Sequence, residues 1–204
     1  LSEQGLKVVV LEEGPLKTSK DFRMREGEAY QNLYQEAGAR KTKDHAITVL
    51  QGRCVGGSTT INWTTSFRTP SATLNYWDQH HSLLGLTEKD LDPWFRRVER
   101  ELHVGSWPVP PNPNNQALAD GLAGMNLSSG TIRRNVKGCQ NLGYCGMGCP
   151  VDAKQSMLVT SLPKMLEQGG TLISRLRAEQ LIFKKGSITS LRARALHDDG
   201  IRPL

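Results

Sequence analysis

Arg53, Gly56, Gly57, Ser58, Thr59, Thr60 and Asn62 form the densest group of chemically useful residues in the chain. Two adjacent glycines let another group come close to the backbone, because no Cβ stands in the way. Three hydroxyl residues and an amide follow, with a guanidinium just ahead of them. Such a set suits a large, phosphorylated, aromatic ligand. It is not a nucleotide P-loop, since the closing Gly-Lys-Ser/Thr is absent. Taken alone, the same residues also fit a plain polar turn.

Cys139, Cys145 and Cys149 invite a metal reading. Zinc sites usually pair ligands as Cys-x2–4-Cys and need a second pair. Here a fourth ligand is missing locally, and His103 or Cys54 could supply one only through the fold. A 4Fe–4S cluster takes four thiolates, usually with two-residue gaps, and the spacing misses it. A tight loop whose glycines pack closely, with thiols as small buried side chains, fits residues 145–149 better. One disulfide among the three stays open. No Gly-x-Ser-x-Gly elbow is present, so a hydrolase of that type is set aside. His80 and His81 are neighbours, about 100° apart on a helix, and cannot readily share one metal. They read as surface or capping residues.

The elements that must position these groups follow from the pattern along the chain. The 204 residues suit one domain or one and a half. Hydrophobic residues make up 37%, enough to bury a core. The net charge is +6, but the basic residues are dispersed, which argues against a nucleic-acid partner. No apolar run approaches the ~18 residues of a membrane span. The cysteine usage leaves cytoplasm and periplasm both open. Both ends read as parts of a longer protein.

Residues 7–11 form an apolar run typical of a strand buried on both faces of a parallel sheet, with Gly5 as a preceding helix cap. Glu12 ends that run, where an acidic side chain can hydrogen-bond a ribose hydroxyl or simply face solvent. Residues 19–43 read as irregular, with one short helix near 27–37. Alternation of Ile61, Trp63, Thr65 and Phe67 predicts a strand. Residues 72–103 read as helical, with Thr87 as an N-cap. Leu91, Trp94, Phe95, Val98 and Leu102 make its core stripe. A proline-rich connector, 107–116, leads to a helix at 116–124. A helix over 153–168 breaks before Pro163 and closes at Gly169-Gly170. The remainder is β: 172–176, 178–184, a Lys185-Gly186 turn, 188–196, and an Asp199-Gly200 turn.

The run Gly52-Arg53-Cys54-Val55-Gly56-Gly57-Ser58-Thr59-Thr60-Ile61-Asn62, set about forty residues after Val8-Val9-Val10-Leu11-Glu12, resembles the signature of the glucose–methanol–choline (GMC) flavin-dependent oxidoreductases. Residues 86–102 are similar to the helix that follows it in that family. Cys145-Gly146-Met147-Gly148-Cys149-Pro150, Ala153-Lys154-Gln155-Ser156 and Leu162-Pro163 resemble the branch of gluconate dehydrogenases and long-chain alcohol oxidases.

The resemblance implies an α/β fold: an incomplete Rossmann-like FAD-binding domain, part of a substrate domain, and a β-meander. Residues 1–70 would belong to the FAD domain, 71–135 to the helical substrate segment, and 136–204 to the return into the FAD domain. It implies FAD as cofactor and a small-molecule alcohol as substrate, with the electron acceptor unspecified. Glu12 would meet the adenosine ribose. Ser58 and Asn62, with Gly56 and Gly57 beside them, would contact the cofactor near its phosphates and ring. Trp63 and Thr65 would flank the flavin through their backbone, and the Ala178 backbone would meet the adenine. Arg53 would lie near the pyrophosphate or form a salt bridge. The family's proton-abstracting His belongs to a C-terminal region beyond Leu204, and the phosphate-binding glycines would precede Leu1. None of His45, His80, His81, His103 or His197 sits in a matching context. The parent is thus expected to be an enzyme and this piece alone to be inactive. A cysteine-cluster metal module and a non-catalytic remnant are the alternatives.

Overall fold

A computed structural model describes residues 1–107 and 109–196. In chain order it contains β1 (Val9–Leu11), α1 (Glu26–Leu33), α2 (Ser58–Ile61), α3 (Ser71–His81) and α4 (Glu88–Glu101). β2 (Val104–Gly105), α5 (Pro113–Gly124), β3 (Arg134–Asn135), α6 (Ser161–Glu167), β4 (Thr171–Ile173), β5 (Leu176–Lys184) and β6 (Ser187–Ala195) complete it. Short 3-10 turns cover Ser2–Gln4, Gln35–Gly38 and Cys145–Met147. The described residues divide into two compact units, 1–63 with 142–196, and 64–141.

The first unit is built around a parallel pair. β1 and β4 align Val9 with Thr171, Val10 with Leu172 and Leu11 with Ile173. With β4 as its one partner, β1 is not buried on both faces as its apolar run predicts: Val9 is 58% exposed. The core lies beside this pair. Phe22, Ala29, Leu33, Tyr34, Cys54 and Ile61 cluster there, with Tyr30, Met147 and Leu158 packed against them. α1 supplies Ala29 and Leu33 to this cluster, four residues apart on one helix face. β5 and β6 form an antiparallel hairpin turned at Lys185 and Gly186, both at positive φ. Among the described residues the expected β-meander is reduced to this hairpin, because β4 pairs with β1 instead. The Asp199-Gly200 turn lies outside the described residues.

Two further expectations are corrected in this unit. Residues 153–160 are not helical. α6 begins only at Ser161, with Pro163 in its first turn, where a missing N–H costs no intrahelical bond. Gly169, at φ 80°, follows its end. The strand expected over 61–67 is also absent. Ile61 closes α2, and Thr64 at φ 63° turns the backbone out of the extended region. Ile61 and Thr64 are buried, while Trp63 and Phe67 are exposed, which does not follow the alternating pattern.

In the second unit the region read as one helix is two, α3 and α4, separated by a turn containing Gly85 at φ 74°. Thr87 is the N-cap of α4, in a reciprocal capping box with Asp90. The apolar stripe of α4 is not a core: no residue of the helix is buried, and Trp94 is 62% exposed. α5 starts earlier than expected, at Pro113, because Asn112 accepts from the Asn115 N–H as its cap. β2 and β3 pair antiparallel, and Thr65 bridges to Arg134.

Candidate functional site

The chemically useful residues of the first unit gather where β1 ends. Leu176 donates its N–H to the Glu12 carbonyl at 2.9 Å, and Arg175 donates to the Gly14 carbonyl at 3.1 Å. These bonds carry the chain from the end of β1 to the start of β5, where Ala178 lies. Val55 donates to the Pro15 carbonyl at 3.0 Å, which ties the glycine-rich run to the same place. Gly14 explains how the two segments approach: a Cβ there would lie 2.1 Å from the Arg53 carbonyl oxygen.

Glu12 Oε1 accepts the Gly14 N–H at 2.6 Å. Burial pushes the Glu12 carboxyl up from its ordinary range, against the lowering pull of that bond. Its neighbour Glu13 is engaged differently. Arg53 Nε and Arg177 each donate to Glu13 Oε1 at 2.7 Å. The Arg177 hydrogen bond leads in drawing the Glu13 carboxyl down, with Arg53 adding to it. Of the two roles open to Arg53, the structure therefore displays the salt bridge.

The glycine-rich run folds into a tight turn that launches α2. Gly52 donates its N–H to Ser58 Oγ at 3.0 Å, and a Cβ on Gly52 would sit 2.5 Å from the Gly57 backbone. Gly57 has φ 56° and ψ −145°, a region essentially reserved for glycine. A Cβ there would point into open space, so that face admits a neighbour. Gly56 is closed on its side by Thr60 and Leu158. Thr59 Oγ1 donates to the Gly56 carbonyl at 2.5 Å and accepts the Met157 N–H at 2.9 Å. Thr60 Oγ1 donates to the Val55 carbonyl at 3.0 Å. All three hydroxyls thus help to hold the turn itself.

A residue that sequence reasoning left out stands at the other end of α2. Lys154 is 3% exposed. Its Nζ donates to the carbonyls of Thr60 at 2.5 Å, Cys145 at 2.6 Å and Asn62 at 3.1 Å. Tyr34 donates its hydroxyl to the next carbonyl of that loop, Gly146, at 2.6 Å. Burial pushes the Tyr34 phenol up to about 12. A Cβ on Gly146 would lie 3.0 Å from the Trp63 ring, and one on Gly148 only 2.3 Å from the Phe22 ring. The glycines of 145–149 allow close packing, as expected. The thiols are not buried as expected: Cys139, Cys145 and Cys149 are half-exposed, whereas Cys54 is fully buried. Among the described residues no group of three or more His, Cys, Asp or Glu side chains stands together as a metal site.

Eight of the nine cofactor-contact candidates therefore lie in the first unit: Glu12, Arg53, Gly56, Gly57, Ser58, Asn62, Trp63 and Ala178. Thr65 belongs to the second. His80 and His81 are exposed at the end of α3, where the His80 ring stacks on Tyr76 at 4.2 Å. His197 lies outside the described residues.

The family model for GMC oxidoreductases matches residues 30–202. The chain belongs to the GMC oxidoreductase family. An uncharacterised GMC-type oxidoreductase of Mycobacterium tuberculosis is 34% identical over 200 residues, 95% of this chain and 31% of that protein. A long-chain-alcohol oxidase of Arabidopsis thaliana is 29% identical over 190 residues, 93% of this chain and 25% of that one. A GMC-type oxidoreductase of Sinorhizobium fredii is 29% identical over 187 residues, 91% of this chain and 37% of that one. The chain thus spans about a quarter to a third of the length of these relatives. The matched family domain is the FAD-binding one.

Proposed function

We propose that this chain supplies the FAD-holding part of an enzyme that oxidises a CH–OH group of a small-molecule alcohol. One observation carries the reading. Glu12, the open face of Gly57 and the start of β5 converge at the carboxyl end of β1, in a chain of the GMC family. Ligands of open parallel sheets bind at the carboxyl ends of strands. Under this reading the β1–β4 pair is part of a Rossmann-like sheet. The second unit then carries part of the substrate domain.

The residues present fit the cofactor. Glu12 Oε1 is held by the Gly14 N–H, and Oε2 has no hydrogen-bond donor among the described residues, so it is available to a ribose hydroxyl. Gly57 presents backbone without a side chain. Gly56, Gly57, Ser58, Asn62 and Trp63 would hold the phosphates and the flavin edge, and the Ala178 backbone would hold the adenine. Arg53 acts by fixing Glu13 beside Glu12. When bound, FAD supplies the hydride acceptor, and the protein supplies position and electrostatics. The alcohol oxidases among the relatives favour a long-chain alcohol as substrate.

The test is made on the full-length protein. Flavin absorbance, release of FAD on denaturation, and anaerobic bleaching of the flavin bands by a long-chain alcohol are the expected results. A protein that carries iron or zinc and no flavin rejects the proposal.

A further inference from the structure

Lys154 is the one lysine among the described residues that is buried. A buried ammonium is costly unless its charge and all its protons are satisfied. Its Nζ meets three backbone carbonyls, those of Thr60, Asn62 and Cys145. An ammonium has three N–H donors, whereas a neutral amine has two. Each of these carbonyls accepts an N–H of the Lys154 side chain. Three convergent carbonyl dipoles do for this cation what water does at the surface.

The positions of those carbonyls matter more than their number. Thr60 lies in the last turn of α2, Asn62 just past its end, and Cys145 in the loop that packs on Trp63. Helix-terminal carbonyls lack intrahelical partners and carry partial negative charge. α2 is a single turn that opens beside Gly57. A cation at its far end locks both its length and the direction in which the chain leaves at Asn62 and Trp63. The same cation fixes Cys145, while Tyr34 fixes Gly146 next to it.

We infer that Lys154 is a positioning residue of the cofactor site, setting the backbone at Asn62 and Trp63 through its three carbonyl bonds. The inference rests on the reading of that site as a flavin site. Lys154 touches no reacting atom under it. Arginine is not equivalent, because a planar guanidinium cannot direct three bonds from one atom.

The experiment uses the full-length protein and FAD. Lys154→Met is expected to weaken FAD binding about tenfold or more and to change the visible circular dichroism of bound flavin. Lys154→Arg, which keeps the charge, is expected to change the dichroism as well. Equal loss of melting temperature in the apo and FAD-bound variants, with Kd and dichroism as in the wild type, means a purely structural role and overturns the inference. Should the variants fail to fold, the wild type itself is acetylated and Lys154 followed by peptide mass spectrometry. Severalfold slower modification with FAD bound supports the coupling, because coupling between sites is reciprocal. Equal rates overturn it. A flavin-free wild type overturns the functional reading and this inference together. A flavin-bearing wild type with unaffected variants overturns this inference alone.

Discussion

Two cations, one in each unit, organise their surroundings by opposite means. Lys154 is buried and answered by neutral backbone carbonyls. Arg68 is half-exposed and answered by carboxylates: Nε and Nη2 reach the two oxygens of Glu99, and Nη1 reaches Asp92, each at 2.8 Å. Arg133 adds a second cation to Glu99 at 3.0 Å. The carboxylate network is the more conspicuous and the less consequential. Exposed ion pairs contribute about 0–1 kcal/mol and weaken with salt. A buried donor stripped from its acceptors leaves each of them unsatisfied, at about 1–3 kcal/mol apiece. A buried charge answered by backbone thus matters more than a half-exposed one answered by carboxylates.

Close packing around the buried cation can be broken most severely at Gly148. Gly148→Ala puts a methyl 2.3 Å from the Phe22 ring at φ 84°. The expected loss is about 3 kcal/mol or more in chemical denaturation. Gly130→Ala in the second unit, with open space around the added Cβ, is expected to change stability by less than about 0.5 kcal/mol. Comparable losses at the two sites would erase the contrast.

Cysteine labelling sharpens the same contrast without mutation. Burial pushes the Cys54 thiol from 9.0 up to about 12. At pH 8 its thiolate fraction falls about a thousandfold, beyond the steric protection. Peptide mapping after alkylation is expected to show Cys139, Cys145 and Cys149 modified and Cys54 intact until denaturant is added. Early labelling of Cys54 would show that the core around it opens readily.

On the exposed side the effects are small. Arg68→Ala is expected to lower the melting temperature slightly at low ionic strength and less in high salt. A salt-independent loss would place Arg68 with Lys154 in kind. The smallest effect is a pH dependence. Arg68, and then Arg133, hold the Glu99 carboxyl at about 2, below its ordinary 4.5. A carboxyl depressed on folding stabilises above its unfolded value and loses that contribution as pH falls through the folded one. Wild type minus Glu99→Gln, followed by thermal melting, is therefore expected to shrink between about pH 4.5 and pH 2. Solvent screening keeps the amplitude under about 1 kcal/mol. A difference that is flat with pH would remove Glu99 from the network's account.

What the sequence made legible was local. Thr87 with Asp90 announced the start of α4, and Lys185-Gly186 announced the β5–β6 turn, because caps and turns are decided within a few residues. Arg53 was open between two roles until Glu13 appeared beside it in the fold. The stripe from Leu91 to Leu102 has helical periodicity, but periodicity does not say what covers it, and Trp94 is exposed. β4 was placed correctly as a strand and given the wrong neighbour, since its partner β1 lies far away in the chain. Lys154 stood in a stretch, 153–156, that resembles one branch of the family, but nothing marked it as buried. A lysine is ordinarily a surface residue, and its acceptors are main-chain carbonyls that every residue possesses.

The bond from Tyr34 to Gly146 spans 112 positions, and the second unit is inserted between its two ends. Loop closure across such a separation must precede any of the contacts it makes possible. During synthesis, β1, α1 and the glycine-rich turn leave the ribosome long before Lys154 and β4 exist to receive them. The second unit is continuous and free to condense while the first still waits. The first unit's core cluster lies wholly within residues 22–61, whereas Met147 and Leu158, which pack against it, follow only after 64–141. Until then the cluster lacks the cover that those two side chains give it.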